Sequence, residues 1–411
     1  MQSDFYNLLK PLFVLTKNNG IIAALSFLLT IMIANELGAI QFGLYVKALI
    51  IASLMGMIIN FSTDQTASVY YSQGIDKESI LNGVLFIRLI LGIISFAILI
   101  IYLGSEYTLL AFVSALLFSH FNLSFYYEIT LRNERYSYIY LLERLVYVVS
   151  VFLLIFLDHL NINFIFMMIA ITSLSSLIFQ LIDVMSSKIS LSSIKGLISF
   201  SFFKTQTPLL IVALSMYSFG GFSRLILEEN MGQELLGIYS AGWQLITIAT
   251  IYLSQVYRIW RIRLAKIYEK KDGESLLSEI RNYILLVLLP LGLLMSIFYI
   301  FPEEIINFIY SKEYQSLSEV MVYFGIYVFI IGLSGFVDMI WIATARTLLF
   351  MFIKFLVAAS LLVFLLKFSE EFTMIEFIST TIVFHLISVV ILALTWMTIY
   401  WKEFEEVKDG L

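Results

Sequence analysis

Residues 37–45 read LGAIQFGLY and residues 231–239 read MGQELLGIY, so the spacing Gly-x-x-x-x-Gly-x-Tyr occurs twice in one chain. The second copy begins 194 residues after the first, and DKESIL at residues 76–81 returns as DGESLL at residues 272–277 with nearly the same offset. An internal repeat of this kind determines the architecture before any single residue is interpreted. We therefore expect two copies of one structural unit, divided near the middle of the chain.

The composition predicts that both copies lie in a membrane. Hydrophobic residues make up 60% of the 411 residues and charged residues only 13%, whereas a soluble domain has about 25% charged residues. Apolar stretches of about 18 to 25 residues recur, each long enough to cross a hydrocarbon core of roughly 30 Å as a helix. They lack the period-two alternation of barrel strands. The expected fold class is an all-α integral membrane protein with about twelve transmembrane helices, in two parallel-repeat six-helix lobes around a central cavity.

The predicted spans and domains follow from these apolar stretches. We place the spans at residues 12–34, 43–62, 82–103, 107–127, 138–157, 162–183, 205–227, 239–257, 282–301, 319–344, 347–366 and 377–400. The predicted domains are an N-terminal six-helix lobe at residues 1–183, a cytoplasmic linker at residues 184–204 and a C-terminal six-helix lobe at residues 205–411. The linker sequence fits an interfacial helix and a merely polar connection equally well.

The distribution of basic residues predicts the orientation. With the N-terminus inside, about 18 of the 25 Lys and Arg residues fall on the cytoplasmic side, as the positive-inside rule requires. The richest loop is expected from Arg258 to Lys271, and both termini are expected in the cytoplasm. Since each half holds six spans, the two copies enter the membrane in the same direction. Transporters with parallel repeats bind substrate between the halves and rock them alternately.

Several function classes are disfavoured by the same composition. The chain has no cysteine, and its three histidines are scattered, so we expect neither a metal site nor a resident cofactor. A formal charge of −5 argues against nucleic-acid binding. There is no P-loop pattern for ATP, and no outer loop is long enough for the catalytic part of a polymerase or ligase. We therefore expect no enzyme activity, while a non-catalytic scaffold stays open.

The repeated motif also carries a family resemblance. LGAIQFGLY at residues 37–45 resembles the LGxxxFGxY signature of polysaccharide exporters in the multidrug/oligosaccharidyl-lipid/polysaccharide flippase superfamily. The segment at residues 224–245 resembles the connection between the seventh and eighth helices of that family, although Ser223 stands where an acidic residue is usual. The resemblance covers nearly the whole chain and looks most like the O-antigen flippases known as Wzx.

This resemblance implies a function. The chain would move an undecaprenyl-diphosphate-linked oligosaccharide across the bacterial inner membrane by alternating access, for O-antigen and lipopolysaccharide biosynthesis. Its partners would be that lipid-linked oligosaccharide, membrane lipids, and the polymerase and chain-length proteins of the same pathway. Coupling to an H⁺ or Na⁺ gradient is left open. The alternative is an ion-coupled multidrug or small-molecule antiporter of the same superfamily.

Charged residues inside the spans predict two ion pairs. Glu128 and Arg144 flank the turn between the fourth and fifth spans, and Asp338 and Lys354 flank the corresponding turn 210 residues later. A charge in a span is costly without a partner or a cavity. We interpret both pairs as structural ion pairs within a helical hairpin, with exposure to a central cavity as the alternative.

Other charges are the candidates for function. Arg224, Arg88, Lys47 and Lys17 are the predicted substrate-binding residues, because a diphosphate needs several cationic donors. Each of them also lies near enough to an interface to extend towards water, and Arg88 has Asp64 as an alternative partner. The carboxylates that are available for ion coupling are Asp338, Glu128 and Asp64, and the sequence does not choose among them.

Overall fold

The computed structural model describes residues 2–185, 200–270, 273–344 and 347–409, and all regular structure in these ranges is helical. The α-helices are α1 Gln2–Asn60, α2 Thr63–Ser72, α3 Lys77–Leu103, α4 Tyr107–Leu117, α5 Ser124–Ile129, α6 Asn133–Phe156, α7 Ile162–Met185, α8 Phe200–Tyr217, α9 Ser223–Met231, α10 Gln233–Lys270, α11 Gly273–Tyr283, α12 Leu289–Ile300, α13 Pro302–Ile309, α14 Met321–Ala343, α15 Thr347–Phe368 and α16 Met374–Asp409. Short 3₁₀ helices lie at Phe118–Phe121, Lys312–Val320 and Ser369–Glu371, and π-helical segments lie at Ser218–Phe222 and Ile284–Leu288.

The prediction of an all-helical protein that crosses the membrane many times is confirmed. Within the described residues, 11 helices are long and apolar enough to span a membrane. The first of them, Gly20–Asn60, has 41 residues, which at 1.5 Å per residue is about 61 Å and twice the thickness of a hydrocarbon core. It includes most of the first two predicted spans, which meet at the break at Gly38, so the twelve predicted spans correspond to these 11 helices.

The helices turn their polar residues inward and their apolar residues outward. On α3, Arg88 and Ser95 are fully buried and Gly92 is buried beside Phe121. On the same helix Ile101 is 84% exposed. Since a soluble helix shows the opposite pattern, the exposed apolar surface is the surface that contacts lipid.

The two glycines of the repeat share one unusual backbone conformation. Gly38 has φ 71° and ψ 169°, and Gly232 has φ 90° and ψ 169°. These dihedrals are almost exclusive to glycine. In each copy the glycine ends one helical stretch and starts the next, and the tyrosine seven residues later, Tyr45 or Tyr239, is buried. The repeat therefore corresponds to the same local structure in both halves.

Replacing each repeat glycine by alanine gives a matched pair of variants. Gly232 has no atom within 4 Å of the position of an added Cβ, whereas at Gly38 that atom would lie 2.7 Å from Oε2 of Glu313. The same carboxylate oxygen accepts a hydrogen bond of 2.9 Å from the amide of Ala39. We expect Gly232→Ala to cost about 1–3 kcal/mol through strain alone. Gly38→Ala should cost about 1.5–3 kcal/mol more, because the hydrogen bond to Glu313 is also lost.

Thermal unfolding of both variants in detergent measures this difference. Equal losses of stability would mean that the contact with Glu313 contributes nothing. A larger loss for Gly232→Ala would contradict the expectation that the contact with Glu313 adds to the cost at Gly38.

The chain divides into two compact units. Unit 1 comprises residues 1–40 and 218–411, and unit 2 comprises residues 41–217. One boundary thus falls two residues after Gly38 and the other at the start of the π-helical segment Ser218–Phe222. The predicted lobes at residues 1–183 and 205–411 follow from the sequence repeat and are defined differently from these compact units. That division stays a prediction.

Hydrogen bonds to the segment after α13 hold the end of the first span within unit 1. The side-chain amide of Asn35 donates to the carbonyl of Ile309 at 3.0 Å and accepts from the amide of Ser311 at 2.9 Å. The hydroxyl of Tyr314 donates to the carbonyl of Ala34 at 2.9 Å. The bond to Ala34 satisfies a carbonyl next to the break at Gly38, and the bonds of Asn35 satisfy backbone groups at the end of α13.

The basic segment after the eighth predicted span continues as a helix. The basic segment from Arg258 to Lys271 was expected as a loop, but α10 runs without interruption to Lys270. Lys, Arg and Glu are good helix formers, so a helix extends beyond the apolar span, and its Arg263 pairs with Glu279 of α11 at 2.6 Å.

In the predicted linker, residues 186–199 lie outside the described residues, so its interfacial helix stays a prediction.

Candidate functional site

The interior of unit 1 contains a buried ion pair between α14 and α15. The ammonium of Lys354 lies 2.8 Å from Oδ1 and 3.1 Å from Oδ2 of Asp338, and it donates to the hydroxyl of Ser334 at 3.2 Å. The side chain of Lys354 is fully buried, and that of Asp338 is 16% exposed. The structure thus brings together the two residues that the sequence places opposite each other in this hairpin.

A second polar group in unit 1 surrounds His385, which the sequence did not single out. Its Nδ1 lies 3.4 Å from the hydroxyl of Tyr327, and its ring stacks on Phe219 with centroids 4.7 Å apart. The hydroxyl of Tyr327 donates to the carbonyl of Phe219 at 3.2 Å. A lone histidine in an apolar stretch gives no sequence signal, because its partners come from helices that are distant in the chain.

The π-helical segment Ser218–Phe222 positions Arg224. A π turn interrupts the regular backbone ladder, and such turns are frequent at functional sites. Nε of Arg224 donates to the carbonyl of Gly220 at 2.7 Å, and its guanidinium carbon lies 4.9 Å from the centroid of the Trp243 ring. This cation–π contact and the hydrogen bond fix the direction of the guanidinium. Arg224 is only partly buried.

In unit 2, the fully buried Arg88 contacts α2 and the segment after α4. Its guanidinium lies 2.6 Å from Oδ1 of Asp64 and donates to the carbonyl of Asn122 at 2.6 Å and to the hydroxyl of Thr63 at 3.0 Å. The side chain of Arg88 has no exposure, whereas Asp64 is 37% exposed. This corrects the expectation that Arg88 faces a cavity: it pairs with Asp64, its alternative partner.

The structure does not form the expected pair between Glu128 and Arg144. Glu128 is exposed on α5, and Arg144 of α6 donates instead to the hydroxyl of Tyr140 at 3.1 and 3.0 Å. The prediction assumed one continuous fourth helix, but α4 ends at Leu117, and a 3₁₀ turn separates it from α5. That break changes the direction in which Glu128 points.

An ion pair that the sequence analysis missed lies nearby. Arg135, which lies between Glu128 and Arg144 in the sequence, pairs with Asp183 of α7. The buried carboxylate of Asp183 also accepts a hydrogen bond of 3.0 Å from the hydroxyl of Tyr127. Asp183 sits at the end of a long apolar run, where it looked like the boundary of a span.

The two remaining predicted substrate contacts lie on α1. Lys47 is partly buried nine residues after Gly38. The side chain of Lys17 lies outside the described residues. The substrate-binding role of both residues stays a prediction.

Comparison with solved structures identifies the fold. An inward-facing structure of a multidrug resistance MATE family transporter of the MOP superfamily matches with a TM-score of 0.63 and 13% identity, over 94% of this chain and 95% of the other. An outward-facing structure with the same family description matches with a TM-score of 0.65 and 11% identity, over 98% and 96%. A MOP superfamily transporter from Pyrococcus furiosus, described as having a binding pocket of reverse polarity, matches with a TM-score of 0.65 and 10% identity, over 98% and 96%.

These similarities define the class of fold. At 10–13% identity they show that the chain has the same fold as these transporter structures. No family model matches the sequence, and no curated protein matches it. The predicted superfamily fits the fold, while the specific resemblance to O-antigen flippases stays a prediction.

Proposed function

We propose that the chain is a transporter that works by alternating access in a bacterial inner membrane. The similarity to transporter structures extends over 94–98% of its length, so it concerns the whole molecule and not one module. Solved relatives of this fold include one inward-facing and one outward-facing structure. Transport without catalysis also agrees with short connections between the spans.

We further propose that the substrate is an undecaprenyl-diphosphate-linked oligosaccharide, such as an O-antigen repeat unit. The observation that carries this choice is the fixed geometry of Arg224, which is partly exposed. Its Nε donates to the carbonyl of Gly220, and its guanidinium lies against the ring of Trp243. A guanidinium held in this way presents a planar fork to a phosphate.

A second candidate function is a multidrug or small-molecule antiporter. Glu143 favours it, because this carboxylate lies within the apolar helix α6 and forms no ion pair with any described residue. A carboxylate of this kind suits an organic cation. For either function, coupling to an H⁺ or Na⁺ gradient belongs to the proposal. To bind a coupling ion, Asp64 and Asp338 would first have to release their basic partners. Glu128 is exposed and would not need such a release.

Replacing Arg224 by glutamine tests the proposed substrate. We expect at least a tenfold loss in the rate at which vesicles containing the protein move lipid-linked oligosaccharide between leaflets. Arg224→Lys should retain part of this rate, because it keeps the charge but not the bidentate fork. The matched control is Arg261→Gln, which removes an exposed arginine of α10 beyond its apolar span.

The outcomes separate the two candidates. Unchanged translocation by Arg224→Gln at equal protein content would remove Arg224 from the site. Export of an organic cation by the unaltered protein, with no movement of the lipid-linked oligosaccharide, would establish the second candidate instead.

A further inference from the structure

An apolar groove lies on unit 2 between α3 and α7. Its volume is about 450 Å³. Its apolar lining consists of Leu85, Phe86, Leu89, Phe121, Leu177 and Leu181. Phe86 is 38% exposed and Leu89 is 55% exposed, so the groove is open along α3.

A polar cavity of about 190 Å³ adjoins the groove, and Leu177 lines both. Its polar lining includes Tyr140, Glu143, Arg144, Ser173, Ser176 and Gln180. Two adjacent sites of opposite character that share a wall suit an amphiphile better than a purely polar or a purely apolar ligand.

The charges in the cavity are not neutralised by ion pairs. Arg144 donates to the hydroxyl of Tyr140 at 3.1 and 3.0 Å, and Glu143 accepts from the hydroxyl of Ser173 at 3.5 Å. Among the described residues, neither charge has an oppositely charged group within ion-pair distance. Because an ionisable residue inside a span is costly and usually functional, this cavity is a candidate ligand site.

A line of buried polar residues on α7 connects the end of that helix with the cavity. Its members are at most 7% exposed: Thr172, Ser173, Ser176, Gln180 and Asp183. Gln180 accepts from the amide of Leu123 at 2.7 Å and donates to the hydroxyl of Ser176 at 3.1 Å, and Asp183 pairs with Arg135. These bonds hold α7 in place beside the cavity, which Ser173 and Ser176 line.

We propose that unit 2 binds a polyprenyl lipid whose chain lies in the groove and whose phosphate occupies the polar cavity. The proposal rests on the proposed function and adds a binding site to it. Arg144 binds the phosphoryl oxygens, while Glu143 accepts hydrogen bonds from the first sugar and the serine hydroxyls accept or donate them. With a volume of about 190 Å³, the cavity takes the phosphate and the adjoining part of the first sugar, and not a whole oligosaccharide.

Site-specific photo-cross-linking tests the position of the chain. A photoreactive amino acid is placed at Phe86 in the groove and, as the matched control, at Ile98, which lies outside the groove on the same helix and is 42% exposed. The protein is reconstituted in phosphatidylethanolamine vesicles that contain a small fraction of undecaprenyl phosphate. We expect at least fivefold more undecaprenyl phosphate adduct at position 86 than at position 98. Equal yields, or an excess of phospholipid adducts at position 86, would overturn the proposal.

A second measurement tests the position of the phosphate. In the Phe86 cross-linking protein, Arg144→Gln should lower the adduct with undecaprenyl phosphate about tenfold, and Arg144→Lys should restore most of it. The adduct with undecaprenol, which has no phosphate, should be unchanged in both variants and shows that the groove is intact. An unchanged phosphate adduct in Arg144→Gln would exclude the cavity as the phosphate site. Binding without translocation would refute only the proposed function, whereas translocation without a preferred adduct at position 86 would refute only this site.

Discussion

An Asp64→Asn variant is expected to lose about 3–5 kcal/mol of stability, because it leaves the charge of Arg88 buried without an anion. The side chain of Arg88 has no exposure, and a guanidinium does not lose its proton in a protein. The reverse change, Arg88→Gln, should cost less. It leaves the carboxylate of Asp64, which is 37% exposed and can be hydrated.

Unfolding of both variants in detergent, measured under the same conditions, tests this order. Glu128→Gln is the matched control, because Glu128 is an exposed acid of the same unit, and a change there should stay within about 0.5 kcal/mol. If Arg88→Gln is the more damaging variant, the hydrogen bonds of Arg88 to Asn122 and Thr63 matter more than its buried charge.

The second large effect is expected at the pair of Asp338 and Lys354. Asp338→Asn and Lys354→Met should each destabilise the protein by several kcal/mol, since each leaves a partner inside a fully packed region. The combination of Asp338→Leu with Lys354→Met should recover much of this loss, because an apolar pair can replace a buried ion pair.

The double variant also separates two roles that the sequence leaves open for Asp338. If the variant is stable and still moves substrate, the pair is structural. If it is stable and inactive, Asp338 takes part in ion coupling. A double variant as unstable as the sum of the single variants would contradict a direct interaction between the two side chains.

The class of fold was predictable because two features of the sequence indicate it strongly. Long apolar stretches predict helices in lipid, and the repeated glycines mark an equivalent backbone break in both halves. The pair of Asp338 and Lys354 was also visible, since α14 and α15 are regular helices joined by a short turn. In that setting, equal distance from the turn places two side chains opposite each other.

Counting residues from the turn gave the wrong partner for Glu128 in the N-terminal half, because the fourth span is not one regular helix. The segment from Phe118 to Leu123 is not α-helical, so counting residues from the turn does not give the direction of Glu128. The partners of Arg88 and Arg135 lie on other helices, and no local pattern identifies them. The groove and the cavity of unit 2 are likewise formed by helices that are distant in sequence, so only the folded chain brings them together.

The π-helical segment Ser218–Phe222 has a consequence for alignment and engineering. A π turn holds one residue more than an α turn, so all residues after it are rotated by about 100° relative to an uninterrupted helix. Deleting one residue from this segment would restore regular phase and turn Arg224 away from Trp243. An alignment that treats residues 200–231 as one gapless helix therefore assigns the wrong face to every position beyond Phe222.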